Sequence, residues 1–207
     1  MRYITESTVE TRRAFGILFI AVSIAVVIAS VVSEIAYLTT TSLPLYYYVI
    51  IWLASFAAVF GVSYRHLRKS LPAILSRMKT SSRWPTAAKI LNGICWAGPF
   101  AAITAFPSFY QYLILAGIGL GNLSTYLMIR KYGNMDNPEQ LIVALVSLAA
   151  VPAAVMIDSM IFAPRQDIAV MLSRFFIGVA YASGGAFALL WKAGPVGFDP
   201  TTSGSLQ

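Results

Sequence analysis

The chain has 207 residues, of which 58% are hydrophobic and only 11% are charged. An average soluble domain carries roughly 25% charged residues, so a chain this apolar cannot form a water-facing surface and is expected to be covered by lipid. The net charge of +7 does not indicate nucleic-acid binding, because the basic residues lie in short segments between apolar runs, where they suit anionic lipid headgroups instead.

Six apolar runs are long enough to cross a bilayer as helices. They predict an all-α integral membrane protein, with one bundle of six transmembrane helices over residues 1–192. The tail 193–207 is rich in Gly, Pro, Ser and Thr, and we expect it to be disordered and cytoplasmic. The predicted spans, numbered one to six, are Ala14–Tyr37, Leu45–Tyr64, Ile90–Phe106, Phe109–Ile129, Leu141–Phe162 and Ile168–Trp191.

The basic residues are concentrated in every second connection between spans. Cytoplasmic loops carry the excess of Lys and Arg, so we predict a multi-pass protein of the cell (plasma) membrane with both termini in the cytoplasm. The opposite loops, 38–44, 107–108 and 163–167, contain a single basic residue, Arg165. The basic residues on the predicted cytoplasmic side are Arg12, Arg13, Arg65, Arg68, Lys69, Arg77, Lys79, Arg83, Lys89, Arg130, Lys131 and Lys192.

The connection 65–89 between spans two and three is predicted to be an interfacial helix that lies in the membrane plane. Four apolar residues follow helical spacing along one stripe, and Ser70 is the expected N-cap. Two interpretations remain open, an anchored connector and a docking site for a partner. The stripe consists of Leu71, Ile74, Leu75 and Met78.

Spans two and four have similar sequences, which suggests that the six spans form three helical hairpins in tandem. Residues 46–51 read Tyr-Tyr-Tyr-Val-Ile-Ile, and residues 110–115 read Tyr-Gln-Tyr-Leu-Ile-Leu. Chance similarity between apolar helices is the alternative. The tyrosines also suit the aromatic belt at a membrane surface.

Small residues and prolines inside the spans predict how the helices pack. Gly117 and Gly121 are four residues apart, as are Gly178 and Ala182, and such faces let two helix backbones approach closely. Pro99 and Pro152 lie near the middle of spans three and five, where a proline kinks a helix and frees a carbonyl. The kinks either flank a central cavity or reflect the ordinary use of proline in membrane helices.

Charged residues within the spans are the candidate binding residues. Glu34, Asp158 and Arg174 lie at similar depth near the predicted outer surface, and an isolated charge in a span costs roughly 2.5–3.5 kcal/mol. They are interpreted either as an ion or solute site that opens outward or as a structural ion pair with the third group reaching the headgroups. Asn122, a polar residue deep in span four, is added as a fourth candidate.

The sequence gives little support for catalysis or for a metal or cofactor site. Cys95 is the only cysteine and His66 the only histidine, which argues against a disulfide within the chain, a Cys/His zinc site and a haem held by two histidines. An intramembrane aspartyl protease needs two aspartates in facing helices, and Asp158 is the only aspartate in a span. We therefore predict no catalytic residue, no cofactor and no metal.

The function predicted from the sequence is transport of a small solute or ion across the membrane. The alternative is a non-catalytic subunit that assembles into a larger membrane complex, and a weaker third possibility is an enzyme acting on lipid. The expected partners are a bilayer with anionic headgroups and either further copies of the chain or a larger membrane complex. No nucleic acid is expected.

Overall fold

The computed structural model describes residues 2–40, 44–161 and 164–190, and these ranges are helical with short connections. Seven α-helices and no strand occur within the described ranges. The predicted tail 193–207 and the predicted span ends at Phe162 and Trp191 lie outside the described residues. The helices are α1 Arg2–Thr39, α2 Leu45–Val62, α3 Tyr64–Thr80, α4 Thr86–Ala102, α5 Tyr110–Gly133, α6 Pro138–Met156 and α7 Gln166–Leu190.

Four helices of the described chain are long and apolar enough to cross a membrane, namely Glu10–Thr39, Pro107–Gly133, Pro138–Ile161 and Ile168–Leu190. A fifth results if α2 and α3, which meet at 89°, count as one bent span. Large apolar side chains also face outward, and Val62 and Met160 are 87% and 73% exposed. Several apolar helices with an apolar outer surface fit a membrane-embedded protein.

The helices pack in the order α4, α5, α6, α7, α1, α2, each against the next, and α3 packs against α1. The neighbours in this row include α1 with α2, α4 with α5 and α6 with α7, and α5 packs against α6 as well, so the contacts do not single out three separate hairpins. We call the end where α1 ends and α7 begins the Glu34 end, and the end where α1 begins and α7 ends the Glu139 end.

Glycines set the closest helix contacts, because a side chain at these positions would collide with the neighbouring helix. A Cβ atom at Gly117 would lie 2.9 Å from the Phe100 ring of α4, and one at Gly121 would overlap the Trp96 ring of the same helix. A Cβ atom at Gly178 of α7 would likewise lie 2.9 Å from the Val27 side chain of α1. Ala182 is half-buried on α7.

Helix α3 begins earlier than the sequence pattern predicts. The prediction of Ser70 as the N-cap is wrong, because the chain bends at Ser63 and the helix begins at Tyr64. Ser70 lies inside the helix, where its hydroxyl donates to the His66 carbonyl oxygen at 3.2 Å. Of the predicted apolar stripe, Ile74 is buried and the other three members are exposed.

The two predicted kink prolines lie within helices. Pro99 is inside α4, and a Cβ atom at Gly117 would lie 3.3 Å from it. Pro152 is inside α6, and the helix then changes into a π-helical turn, Ile157–Ile161, which contains Asp158. Turns of this kind occur frequently at functional sites.

Candidate functional site

A cavity of about 730 Å³ lies at the Glu34 end, between α1, α2, α7 and the connection from α4 to α5. Its volume is in the range of small-molecule binding sites, about 300–1,000 Å³. The residues that line it are Ser33, Glu34, Tyr37, Tyr48, Trp52, Ile103, Pro107, Tyr110, Val170 and Arg174.

Two of the predicted site residues, Glu34 and Arg174, meet at this cavity with opposite charges. Glu34 comes from the last turns of α1 and is only 9% exposed. Arg174 comes from the first half of α7, and its Nη2 donates to the Tyr110 hydroxyl at 3.2 Å. The two helices pack against each other, so the topology places both charges on one cavity although they are far apart in sequence.

Aromatic rings form most of the remaining wall. Tyr37 is on α1, Tyr48 and Trp52 are on α2, and Tyr110 begins α5. The sequence pattern indicated only a membrane-surface belt for the tyrosines. A signal was nevertheless present: successive helix residues differ by about 100° in direction, so three adjacent residues at 46–48 or 110–112 point over about 200° of the helix surface, and one of them can face a neighbouring helix.

Asp158, the third predicted charge, lies beside this cavity and has partners of its own. The Tyr112 hydroxyl donates to Asp158 Oδ2, and Gln111 Nε2 lies 3.4 Å from the same oxygen. Asp158 is not one of the described residues that line the cavity. The first turn of α5 therefore supplies partners both to Arg174, through Tyr110, and to Asp158, through Gln111 and Tyr112.

Asn122, the fourth predicted binding residue, lies deep in α5 and away from the cavity lining. It is 2% exposed, and its Nδ2 donates to the Ile118 carbonyl oxygen of its own helix at 2.9 Å. The predicted set therefore divides into Glu34 and Arg174 at the cavity, Asp158 next to it, and Asn122 in the core.

The Glu139 end contains a buried charged pair that the sequence analysis missed. Arg12 Nε of α1 lies 3.7 Å from Glu139 Oε2 of α6, and the Glu139 side chain is 0% exposed. Beside it, Asn137 Nδ2 donates to Gln140 Oε1. Helical spacing could have indicated this burial, because Arg12 precedes the buried Phe15 by three residues and so shares its face.

A smaller cavity of about 480 Å³ lies where α2 meets α3, and basic residues dominate its described lining. Arg65, Arg68 and Lys69 line it together with Tyr64. Three cations at a sharp bend between an apolar helix and an amphipathic one suit phosphate groups at a membrane surface. We call this the basic cavity.

Comparison with family models, with curated proteins and with solved structures gave no match. Among the described residues, no three His, Cys, Asp or Glu side chains are grouped so that they could hold a metal ion. The features of the described chain that indicate a function are the cavity and the two charges that line it.

Proposed function

We propose that the chain transports a small solute across a membrane and binds it in the cavity at the Glu34 end. The observation that carries this proposal is that Glu34 and Arg174, two residues of opposite charge within apolar helices, line the same cavity. Charges within a span are costly and frequently mark the path of a substrate. A ligand that contacts both would offset that cost.

In the proposed topology the protein lies in the plasma membrane and crosses it six times, with both termini in the cytoplasm. In this arrangement α2 crosses the membrane and α3 turns into the cytoplasmic surface, which accounts for the 89° bend. The basic cavity then faces anionic headgroups. The Glu34 end faces outward.

Helix α4, which corresponds to predicted span three, completes the six spans of this proposal. Its 17 residues make a helix of roughly 26 Å, and the turn after it adds to that length. Side-chain contacts run along the helix pair: Trp96 Nε1 donates to Thr125 Oγ1 at 3.0 Å, and Thr125 Oγ1 donates to Asn92 Oδ1 at 2.9 Å. Because α4 packs alongside α5 at the same depth, we propose that α4 crosses the membrane together with α5.

Cysteine labelling tests the orientation in a Cys95→Ala background, which removes the native thiol. Thr40→Cys should react with an impermeant thiol reagent added outside intact cells, and Ser81→Cys should react only after the membrane is opened. The reverse pattern would contradict the proposed orientation.

Uptake into proteoliposomes tests the proposed function. A panel of labelled amino acids, amines, carboxylates and alkali cations is offered to the full chain. Val170→Trp places a bulky ring in the cavity and should abolish uptake by obstructing it, whereas Val179→Trp, the same change at an outward-facing residue of α7 that is 51% exposed, should not. Absence of uptake for the whole panel, or equal uptake by both variants, would contradict transport through this cavity.

A non-catalytic subunit of a larger assembly is the second candidate, and the outer face of α4 favours it. Gly93 and Ala97 are exposed at helical spacing, and a Cβ atom at Gly93 would meet nothing within 4 Å. The Gly117 and Gly121 face of α5 already packs against α4, so it is not available to another subunit. If Gly93→Leu lowers the mass of the natively purified assembly, the subunit role is supported; an unchanged mass speaks against an interface at this face.

A further inference from the structure

We infer that the solute is a zwitterion with an aromatic or apolar body, whose cationic group lies beside Glu34 and whose anionic group lies beside Arg174. This inference rests on the proposed role of the cavity as the binding site. It adds the chemical class of the solute.

Arg174 is suited to bind a carboxylate or a phosphate. A guanidinium has five N–H donors, and the structure assigns its Nη2 one acceptor, the Tyr110 hydroxyl. This contact holds the guanidinium at the cavity wall and leaves further donors for an anion. The Tyr110 hydroxyl accepts from Arg174, so its own hydrogen can be donated to the same anion.

Glu34 is suited to bind an ammonium group, and aromatic rings surround its side of the cavity. Tyr37 follows Glu34 by three residues and so shares its face of α1, while Tyr48 and Trp52 share one face of α2 through their spacing of four. Ionised carboxylates only accept hydrogen bonds, and the faces of Tyr and Trp rings attract cations. Both features select a positive group.

Simpler ligands fit this cavity less well. A bare cation or a bare anion would engage only one of the two opposite charges that line the cavity. A single water molecule takes up about 30 Å³, so a cavity of about 730 Å³ accommodates an organic molecule of many atoms. A zwitterion with an apolar body engages both charges and covers the rings.

Three probes with the same phenyl body test this class: L-phenylalanine carries both charges, 2-phenylethylamine only the ammonium and 3-phenylpropanoate only the carboxylate. Binding is measured by calorimetry on the full chain in phosphatidylglycerol nanodiscs, whose lipid offers no ammonium group. We expect L-phenylalanine to bind about ten-fold or more tightly than either other probe, because each charge-assisted hydrogen bond adds about that factor.

The variants separate the two charges. Glu34→Gln should lower L-phenylalanine affinity to that of 3-phenylpropanoate, whose own affinity should not fall. Arg174→Gln should lower L-phenylalanine affinity to that of 2-phenylethylamine. The matched controls Asp136→Asn and Arg83→Gln change exposed residues outside the cavity lining and should leave all three affinities unchanged.

The possible results distinguish this inference from the proposed function. If the three probes bind equally, or none binds, while Val170→Trp still abolishes uptake of some solute, the zwitterion class is overturned and the transport proposal stands. If Val170→Trp has no effect on uptake, both fail. Loss of L-phenylalanine binding on adding phosphatidylethanolamine would support the zwitterion chemistry and assign its source to a lipid headgroup.

Discussion

The two ends of the bundle each hold an acid and an arginine, but they treat the two charges differently. At the Glu139 end, Arg12 and Glu139 are 3.7 Å apart, and the acid is fully buried. At the Glu34 end, Glu34 and Arg174 line a cavity of about 730 Å³. The same two residue types thus serve a packed junction at one end and an open space at the other.

The size of the neighbouring residues accounts for the difference. At the Glu139 end, Gly16 of α1 meets Gly185 and Leu189 of α7, and a Cβ atom at Gly185 would lie 3.0 Å from the Gly16 carbonyl oxygen. Small residues there let the backbones touch. At the Glu34 end, Trp52 and three tyrosines stand between the helices, so the helices enclose space.

The largest expected effect is at the buried pair. Arg12→Ala should lower the free energy of unfolding in detergent by about 3–5 kcal/mol, because it leaves Glu139 buried without that charge. Arg13→Ala is the matched control, since the adjacent Arg13 is exposed, and it should change little. The double variant Arg12→Met with Glu139→Leu replaces both charges by apolar side chains and should be more stable than Arg12→Ala. Equal effects of Arg12→Ala and Arg13→Ala would remove the contrast between the two ends.

Close backbone contact at the Glu139 end gives the second prediction. A Cβ atom at Gly184 would lie 2.7 Å from the Glu139 carbonyl oxygen, which cannot move without shifting α6. Gly184→Ala should therefore cost about 1–3 kcal/mol, measured as a lower melting temperature. The control Gly93→Ala adds the same methyl group in open space. A Gly184→Ala variant as stable as Gly93→Ala would show that the helices are not in contact there.

Arg174→Ala should destabilise the protein less than Arg12→Ala. We expect about 1.5 kcal/mol, the lower limit for hydrogen bonds to charged groups, because water in the cavity can solvate the groups left behind. Adding Glu34→Gln should partly restore stability if the two charges attract each other across the cavity, and Asp158→Asn should do so if Asp158 is the coupled acid. Double mutants that recover nothing would show that the acids and Arg174 are not coupled.

The smallest effect concerns Tyr110→Phe, which removes the hydroxyl that Arg174 contacts and keeps the ring. Its cost in unfolding free energy should be about 0.5–1 kcal/mol, since one part-buried hydrogen bond is exchanged for a hydrogen bond to water in the cavity. The same substitution at Tyr37, whose ring also lines the cavity, is the comparison. A cost for Tyr110→Phe above that of Arg174→Ala would mean that Tyr110 has a second polar partner.

Apolar runs predicted most of the helices, because lipid contact requires them. Span four was predicted at Phe109–Ile129 and is helical over Tyr110–Gly133. The helix α1 extends back to Arg2, and this extension was missed because residues 2–13 are mixed in polarity and lack an apolar run. The start of α3 was missed because Ser63 and Tyr64 were included in predicted span two, which left Ser70 as the next serine that could cap a helix.

The cavity itself could be predicted only in part. The costs of buried charge singled out Glu34 and Arg174, but their meeting depends on α7 packing against α1, a pairing that no local pattern encodes. The partners of the charges, Tyr110 and Tyr112, were assigned to the membrane surface because tyrosine suits both places. Arg12 was interpreted as a flanking charge at the membrane surface because basic residues are common just before a span.

Thiol accessibility tests the central claim most directly, namely that the Glu34 end is a binding cavity open to the outside. In the Cys95→Ala background, Val170→Cys in the cavity should react with an impermeant reagent added outside intact cells, and L-phenylalanine should slow that reaction. Val143→Cys, at a fully buried residue of α6, should not react from either side. If Val170→Cys stays unmodified while Thr40→Cys reacts, the cavity is not open to outside water and the account is wrong.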